Sequence, residues 1–144
     1  MILSGRKIEA EVHAVRIVID PFDPSCCNPN SYNYHLGETI VALSAEGTPS
    51  PPTIIPLDGF RLEPGRVYLG HTKERIGSTE HVVSLIGKSS IGRLGLFLQI
   101  SADLGHQNEI HKWTLELTCV RPFRIYPAMV IGQVTFWRTS GRPY

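Results

Sequence analysis

The sequence has little of what would commit it to a membrane, a polyanion or a disulfide scaffold. No apolar run approaches the roughly 20 residues of a membrane-spanning helix. Met1–Ala10 lacks the apolar core of a secretory leader, and Glu9 and Glu11 interrupt it. Charge of either sign is scarce in excess: 14 Lys+Arg stand against 13 Asp+Glu, a formal net charge of +1. That balance excludes the clustered basic surplus of a typical nucleic-acid binder. There are only 3 cysteines, Cys26, Cys27 and Cys119. An odd number with an adjacent pair makes a poor disulfide framework, because a bridge between neighbours is strained. Free thiols and a cytoplasmic location are the expectation.

What the chain does have is enough apolar residues for one core. Its 144 residues are 42 % hydrophobic and 19 % charged, which suits a single domain spanning 1–144. Its 13 glycines and 11 prolines are spread along the whole length. Distributed breakers cut a chain into short segments and favour many strands over a few long helices. One helix start is legible: Ser4 is a candidate cap, and Leu3 with Ile8 can form a hydrophobic staple, which predicts a helix over Arg6–Ala14. Val15–Ile19 reads as a strand stopped at Pro21. Pro21–Asn33 reads as an irregular connection and Glu46–Pro52 as a surface loop. Further strands are expected over Thr39–Leu43, Ile54–Leu57, Arg66–Thr72, Glu80–Ile86, Leu96–Ser101, Trp113–Cys119 and Val130–Trp137. The fold class is therefore mainly β, with one or two short helices.

Two places could carry chemistry. In Gly87-Lys88-Ser89-Ser90-Ile91-Gly92-Arg93, two hydroxyls follow a Gly-Lys and an arginine lies nearby. Ser89 or Ser90 could cap a short helical turn, gathering N–H groups, hydroxyls and cations that suit phosphate. The full P-loop spacing is absent. Glu116 lies on a strand whose other face is Leu115 and Leu117. It is either a solvated outer-face carboxylate or, where that face lines a cleft, a proton shuttle tuned by desolvation. The 6 histidines match no standard zinc spacing: His106 and His111 flank Glu109, and His71 and His81 stand further off. No metal ligand set is expected. Trp113, Phe136 and Trp137 lack interleaved basic residues and suit strand or subunit packing rather than base stacking.

Gly87-Lys88-Ser89-Ser90-Ile91-Gly92-Arg93-Leu94-Gly95-Leu96 resembles the G-R-S-S-L-A-R-L-G-L motif of the dCTP deaminases, which share a fold with the trimeric dUTPases. Other segments are similar in the same order. Ile2–Ile8 resembles L-S-D-R-D-I, Asn28–Gly37 resembles N-P-x-S-Y-D-L-x-L-G, and Phe60–Gly65 resembles F-x-L-x-P-G. Leu115-Glu116 and Pro127–Gln133 resemble L-E-x and P-G-M-x-I-G-Q, with Ala128 in place of glycine.

This resemblance implies a dUTPase-like distorted β-barrel and a homotrimer with active sites between subunits. It implies hydrolytic deamination of a cytosine deoxynucleotide, with Glu116 shuttling protons and Ser89 and Arg93 placing the water and leaving group. Lys88 and Ser90 are implied in holding phosphate, and Ser101 with Ala102 in reading the pyrimidine edge. Gln133 and Tyr144 are implied as further substrate contacts. No zinc is implied, and Mg²⁺ enters only with the nucleotide phosphates. Two departures stand out. The family's D-P-G turn is replaced, so that His106 falls at the aspartate and Gln107-Asn108 at Pro-Gly, with Asp103 or Glu109 as compensating carboxylates. Family members also continue beyond a segment like Ser140–Tyr144 into an arm over the triphosphate, whereas this sequence ends at Tyr144. Fewer phosphate contacts imply weaker triphosphate binding. A dUTPase-like pyrophosphatase and a non-catalytic nucleotide-binding homologue are the alternative readings.

Overall fold

Ser4 starts the longest helix, its hydroxyl accepting from the Lys7 N–H at 3.3 Å. Leu3 before this cap and Ile8 within the helix are both buried, so the staple forms. The helix, α1, spans Gly5–His13, one residue earlier at each end than expected. Its first residue has to be small. The Gly5 N–H donates to the Pro29 carbonyl at 2.8 Å, and a Cβ there would collide with the Asn28 carbonyl. The computed structural model describes all residues 1–144.

The remaining elements are short, as the scattered breakers require. The strands are β1 (Ile17–Asp20), β2 (Tyr32–His35), β3 (Thr39–Ala42), β4 (Thr53–Ile54), β5 (Phe60–Leu62), β6 (Tyr68–His71) and β7 (Arg75–Ser78). They continue with β8 (Val82–Gly87), β9 (Leu96–Leu98), β10 (Leu104–Gly105), β11 (Ile110–His111), β12 (Thr114–Cys119), β13 (Phe123–Ile125) and β14 (Val130–Trp137). A second helix, α2, covers Ser89–Gly92, and a one-turn 3₁₀ helix covers Pro24–Cys26. The sheets run β1-β7-β11, β10-β8-β14-β2, β4-β3-β6-β12-β9 and β13-β5. Every pairing is antiparallel.

One cluster of 24 buried apolar residues lies between these sheets, with Tyr32, Tyr34 and Phe136 its largest members. The mainly-β architecture expected from the breakers is what forms. No helix is long and apolar enough to cross a membrane.

Several boundaries move for identifiable reasons. Val15 takes a left-handed φ of 59° and lies exposed, so the first strand begins only at Ile17. The stretch expected to be irregular contains the 3₁₀ turn and the start of β2, where Tyr32 is fully buried. The expected strand Ile54–Leu57 shrinks to Thr53–Ile54 because Pro56 lacks an N–H and Leu57 is left in solvent. Leu96–Ser101 stops at Leu98, where Gln99 adopts φ 51°. The cysteines are all free.

Candidate active site

β12 carries Leu115, Leu117 and Cys119 inward and Glu116 outward. Cross-strand partners share a face, and the register sets Val41, Leu69 and Glu116 side by side across β3, β6 and β12. Thr118 and Phe97 form the next pair on this face. Glu116 is thus a half-buried carboxylate beside Leu69, with the exposed ring of Phe97 one pair away. Its carboxylate has no hydrogen bond or ion pair within the chain.

The other half of the motif sits at the far end of β9. Lys88 occupies the N-cap of α2 and is half-buried, Ser89 and Ser90 are exposed in the first turn, and exposed Arg93 is the C-cap. The serine cap expected from sequence does not form: Lys88 precedes the helix and no side chain caps it. The charged ends of Lys88 and Arg93 make no intramolecular ion pair. After α2 the chain docks on the end of β12, with the Val120 N–H donating to the Gly95 carbonyl at 3.0 Å and the Arg121 Nε to the Leu94 carbonyl at 2.7 Å. Val120 lies four residues beyond Glu116, or about 13 Å of extended strand. A single chain therefore leaves Ser89, Ser90 and Arg93 at one end of the β9–β12 pair and Glu116 at the other.

Ser101 and Ala102, in contrast, are tied to Glu116. The Gln99 Oε1 accepts from the Glu116 N–H at 2.6 Å, and the Gln99 Nε2 donates to the Ala102 carbonyl at 3.0 Å. Nothing in the sequence singles out Gln99 as part of the site. By the alternation of β9, with Leu96 and Leu98 inward and Phe97 outward, Gln99 falls on the outer face, so its burial has no signal in the sequence.

His106 is exposed in the turn between β10 and β11, which pair with different strands, and its N–H donates to the Glu109 carboxylate at 3.1 Å. Asp103 accepts from the Ser84 hydroxyl at 2.9 Å. Both carboxylates considered as substitutes for the missing aspartate are thereby engaged in local bonds of this segment. Asn108 adopts φ 69°, the left-handed conformation that a glycine in this turn would supply. Ala128 does the same at φ 59° in the turn before β14. The two departures keep the backbone path that glycine serves in the family pattern.

Gln133 lies on β14, its Oε1 accepting from the Ser31 hydroxyl at 2.8 Å, in a polar group completed by Asn28 and Asn33. Tyr144 is fully exposed and remote in sequence from any element. The histidines make local contacts: His71 to the Thr72 carbonyl, His111 to the Lys112 carbonyl while lying on Trp113, and His35 to Glu74. Glu11, Glu80 and His81 bring ligating atoms within 4.8 Å of one another. Arg16 and Lys7 already hold the Glu11 carboxylate, and their charges oppose a cation there.

Residues 2–139 match the dCTP deaminase-like family. A dCTP deaminase of Rhodopirellula baltica is 46 % identical over 98 % of this chain and 74 % of its own length. A dUMP-forming dCTP deaminase of Clostridium beijerinckii is 41 % identical over 98 % of this chain and 84 % of its own. The crystal structure of the 2′-deoxycytidine 5′-triphosphate deaminase of Agrobacterium tumefaciens superposes with a TM-score of 0.75 at 22 % identity. It covers 94 % of this chain, which spans about half, 47 %, of that one, and it shares the fold. With the family match running nearly end to end and a relative 46 % identical over 98 % of the sequence, this chain belongs to the dCTP deaminase-like family.

Proposed function

We propose that this protein, acting as one domain over residues 1–144, deaminates dCTP to the uracil nucleotide and ammonia. Water adds to C4 of the cytosine ring, and the C4–N4 bond breaks. Glu116 carries one proton from the attacking water to the ring nitrogen N3, and then the proton of the new C4 hydroxyl to the amine, which leaves as ammonia. Arg93 and Ser89 place the water and leaving group, Lys88 and Ser90 hold phosphate, and the backbone at Ser101 and Ala102 reads the pyrimidine edge. His106, Gln133 and Tyr144 are the remaining substrate contacts proposed. The reaction is zinc-independent. Mg²⁺ arrives as part of the nucleotide substrate, and the protein works in the cytoplasm on free nucleotide rather than on nucleic acid.

The observation that carries this reading is the state of the motif's charges. Glu116 is a half-buried carboxylate on an apolar sheet face beside Leu69, and it, Lys88 and Arg93 have no intramolecular partners, whereas Asp103 and Glu109, the other carboxylates of the motif region, are engaged. Their separation within one chain supports a homotrimer in which the α2 of one subunit meets the β12 of its neighbour. Exposed Leu94, Phe97 and Val120 beside this strand are apolar surface that a neighbouring subunit would cover. Such cover would also exclude bulk water from around Glu116.

Pyrophosphate release as a second step is a distinct reading, supported by the dUMP-forming name of the relatives at 37–41 % identity. A panel of deoxynucleotides incubated with the full chain and read for ammonia, pyrophosphate and phosphate separates the possibilities. Ammonia from dCTP without pyrophosphate fits deamination alone, and both products fit the two-step reading. Saturable nucleotide binding with neither product would leave a binding protein and reject the proposal.

A further inference from the structure

Four residues other than glycine have a left-handed backbone: Val15, Gln99, Asn108 and Ala128. Three of them are exposed and sit in turns or chain reversals, where such geometry is ordinary. Gln99 differs because it is buried, ends a core strand and faces the candidate catalytic residue. A glutamine at φ 51° brings its Cβ close to the following carbonyl, so this conformation persists only where surrounding bonds impose it.

Those bonds are specific. Opposed residues of an antiparallel hydrogen-bonded pair exchange two N–H···O=C bonds. Here the Gln99 N–H still donates to the Glu116 carbonyl, at 3.3 Å. The return bond from the Glu116 N–H goes to the Gln99 side-chain oxygen, at 2.6 Å. The left-handed turn has carried the backbone carbonyl of Gln99 away, and the amide oxygen of its own side chain replaces it. The other end of that amide donates to the Ala102 carbonyl at 3.0 Å.

We infer that Gln99 is a positioning residue for the reaction, a strut that sets the Glu116 backbone and the Ser101–Ala102 segment in one fixed relation. This rests on the deaminase reading above. The chemistry requires both an acceptor and a donor at the end of one side chain of this length. Glutamate would face the Ala102 carbonyl with a second acceptor, and asparagine is a methylene too short to span both. Proton transfer at C4 needs the carboxylate and the base edge registered together, and misplacement by about 1 Å is enough to cost on the order of 100-fold in rate.

Two variants of the full chain test this by steady-state kinetics on dCTP. Gln99→Gly removes the strut and also releases the left-handed strain, so the fold is expected to keep its melting temperature and oligomeric mass. Gln99→Glu keeps size and shape and exchanges the donor for an acceptor. Both are expected to lose about 10- to 100-fold in kcat, with KM rising by a smaller factor, because positioning acts at the transition state. A Gln99→Gly enzyme with kcat within threefold of wild type overturns the inference, as does a loss seen in Gln99→Glu alone. A loss of kcat that tracks a lowered melting temperature in both variants also overturns it, by reducing Gln99 to a structural part. Wild-type protein that releases no ammonia from dCTP defeats the deaminase reading itself, a result separable from either variant outcome.

Discussion

Replacing Glu11 with glutamine should cost stability at neutral pH and progressively less as pH falls below about 4.5. Glu11 is a helix residue only 2 % exposed. Its carboxylate accepts from the Arg16 Nε at 2.6 Å, the Arg16 Nη2 at 2.7 Å, the Lys7 Nζ at 2.7 Å and the ring of buried His81 at 3.3 Å. Arg16, then Lys7, holds this carboxyl well below the usual carboxylate range, against an opposing push from burial. Glutamine keeps the shape but turns one end into a donor, so either the Lys7 side or the His81 side meets N–H against N–H. Breaking a fully buried pair costs about 3–5 kcal/mol. Here the partners Lys7 and Arg16 keep 42 % and 43 % of their side-chain surface in solvent and rehydrate, which brings the expected loss to about 2 kcal/mol. For a chain of this size that is a melting temperature lower by about 4–8 °C.

The pH dependence follows from linkage. A carboxyl whose pKa is lowered on folding stabilises the native state fully above its unfolded value of 4.5 and loses that contribution as pH falls towards its folded value. Urea midpoints for wild type and Glu11→Gln, taken at pH 7 and again near pH 3, should therefore show a gap that is narrower in acid. Glu80→Gln serves as the control, because exposed Glu80 approaches Arg16 only to 3.9 Å and should change the midpoint little. An equal gap at both pH values, or none at pH 7, would refute the reasoning.

Three further outcomes are expected. Ala128→Gly should stabilise the protein by about 0.5–1 kcal/mol: relief of left-handed strain of about 1–2 kcal/mol outweighs the added freedom of the unfolded glycine, and a thermal melt raised by about 1–4 °C would register it. Glu116→Gln should cut ammonia release from dCTP by about 10²–10⁴-fold while leaving the fold intact, since the carboxylate bonds to nothing within the chain; unchanged turnover would remove Glu116 from the mechanism. On the proposed trimer, co-assembly of Glu116→Gln with Arg93→Ala subunits should restore activity that neither has alone, because a site shared between chains would regain one intact copy. No recovery together with a monomeric mass in ultracentrifugation would place the whole site within one chain.

How much of this was legible beforehand depended on how local the cause was. The helix at α1 is specified by a serine cap and a staple three and four residues long, and it forms within one residue of where those signals put it. The longest strand, β14, coincides with its β-branched and aromatic run. Strands as short as Arg75–Ser78 and Phe123–Ile125 give too few residues for an alternation to register, and exist because β1 and β5, far off in sequence, pair with them. The two-residue strands β10 and β11 are likewise products of their partners β8 and β7. The serine caps at α2 failed for the converse reason: the motif suits a cap locally, but the chain enters the helix one residue early, with Lys88 at the boundary.

The order of motifs along the chain determined by itself the family, the mainly-β class and the candidate chemistry of Lys88, Ser89, Ser90, Arg93 and Glu116. The near-neutral composition determined in the same way which partners not to expect. Only the tertiary structure decided that Glu116 and α2 stand at opposite ends of one strand pair, that Asp103 and Glu109 are already engaged, and that Gln99 binds the backbone on both sides of the site. Residue types and spacing report what a segment can do chemically. Which groups remain free to do it depends on hydrogen bonds between segments far apart in sequence, and these are settled only when the sheets close on the core.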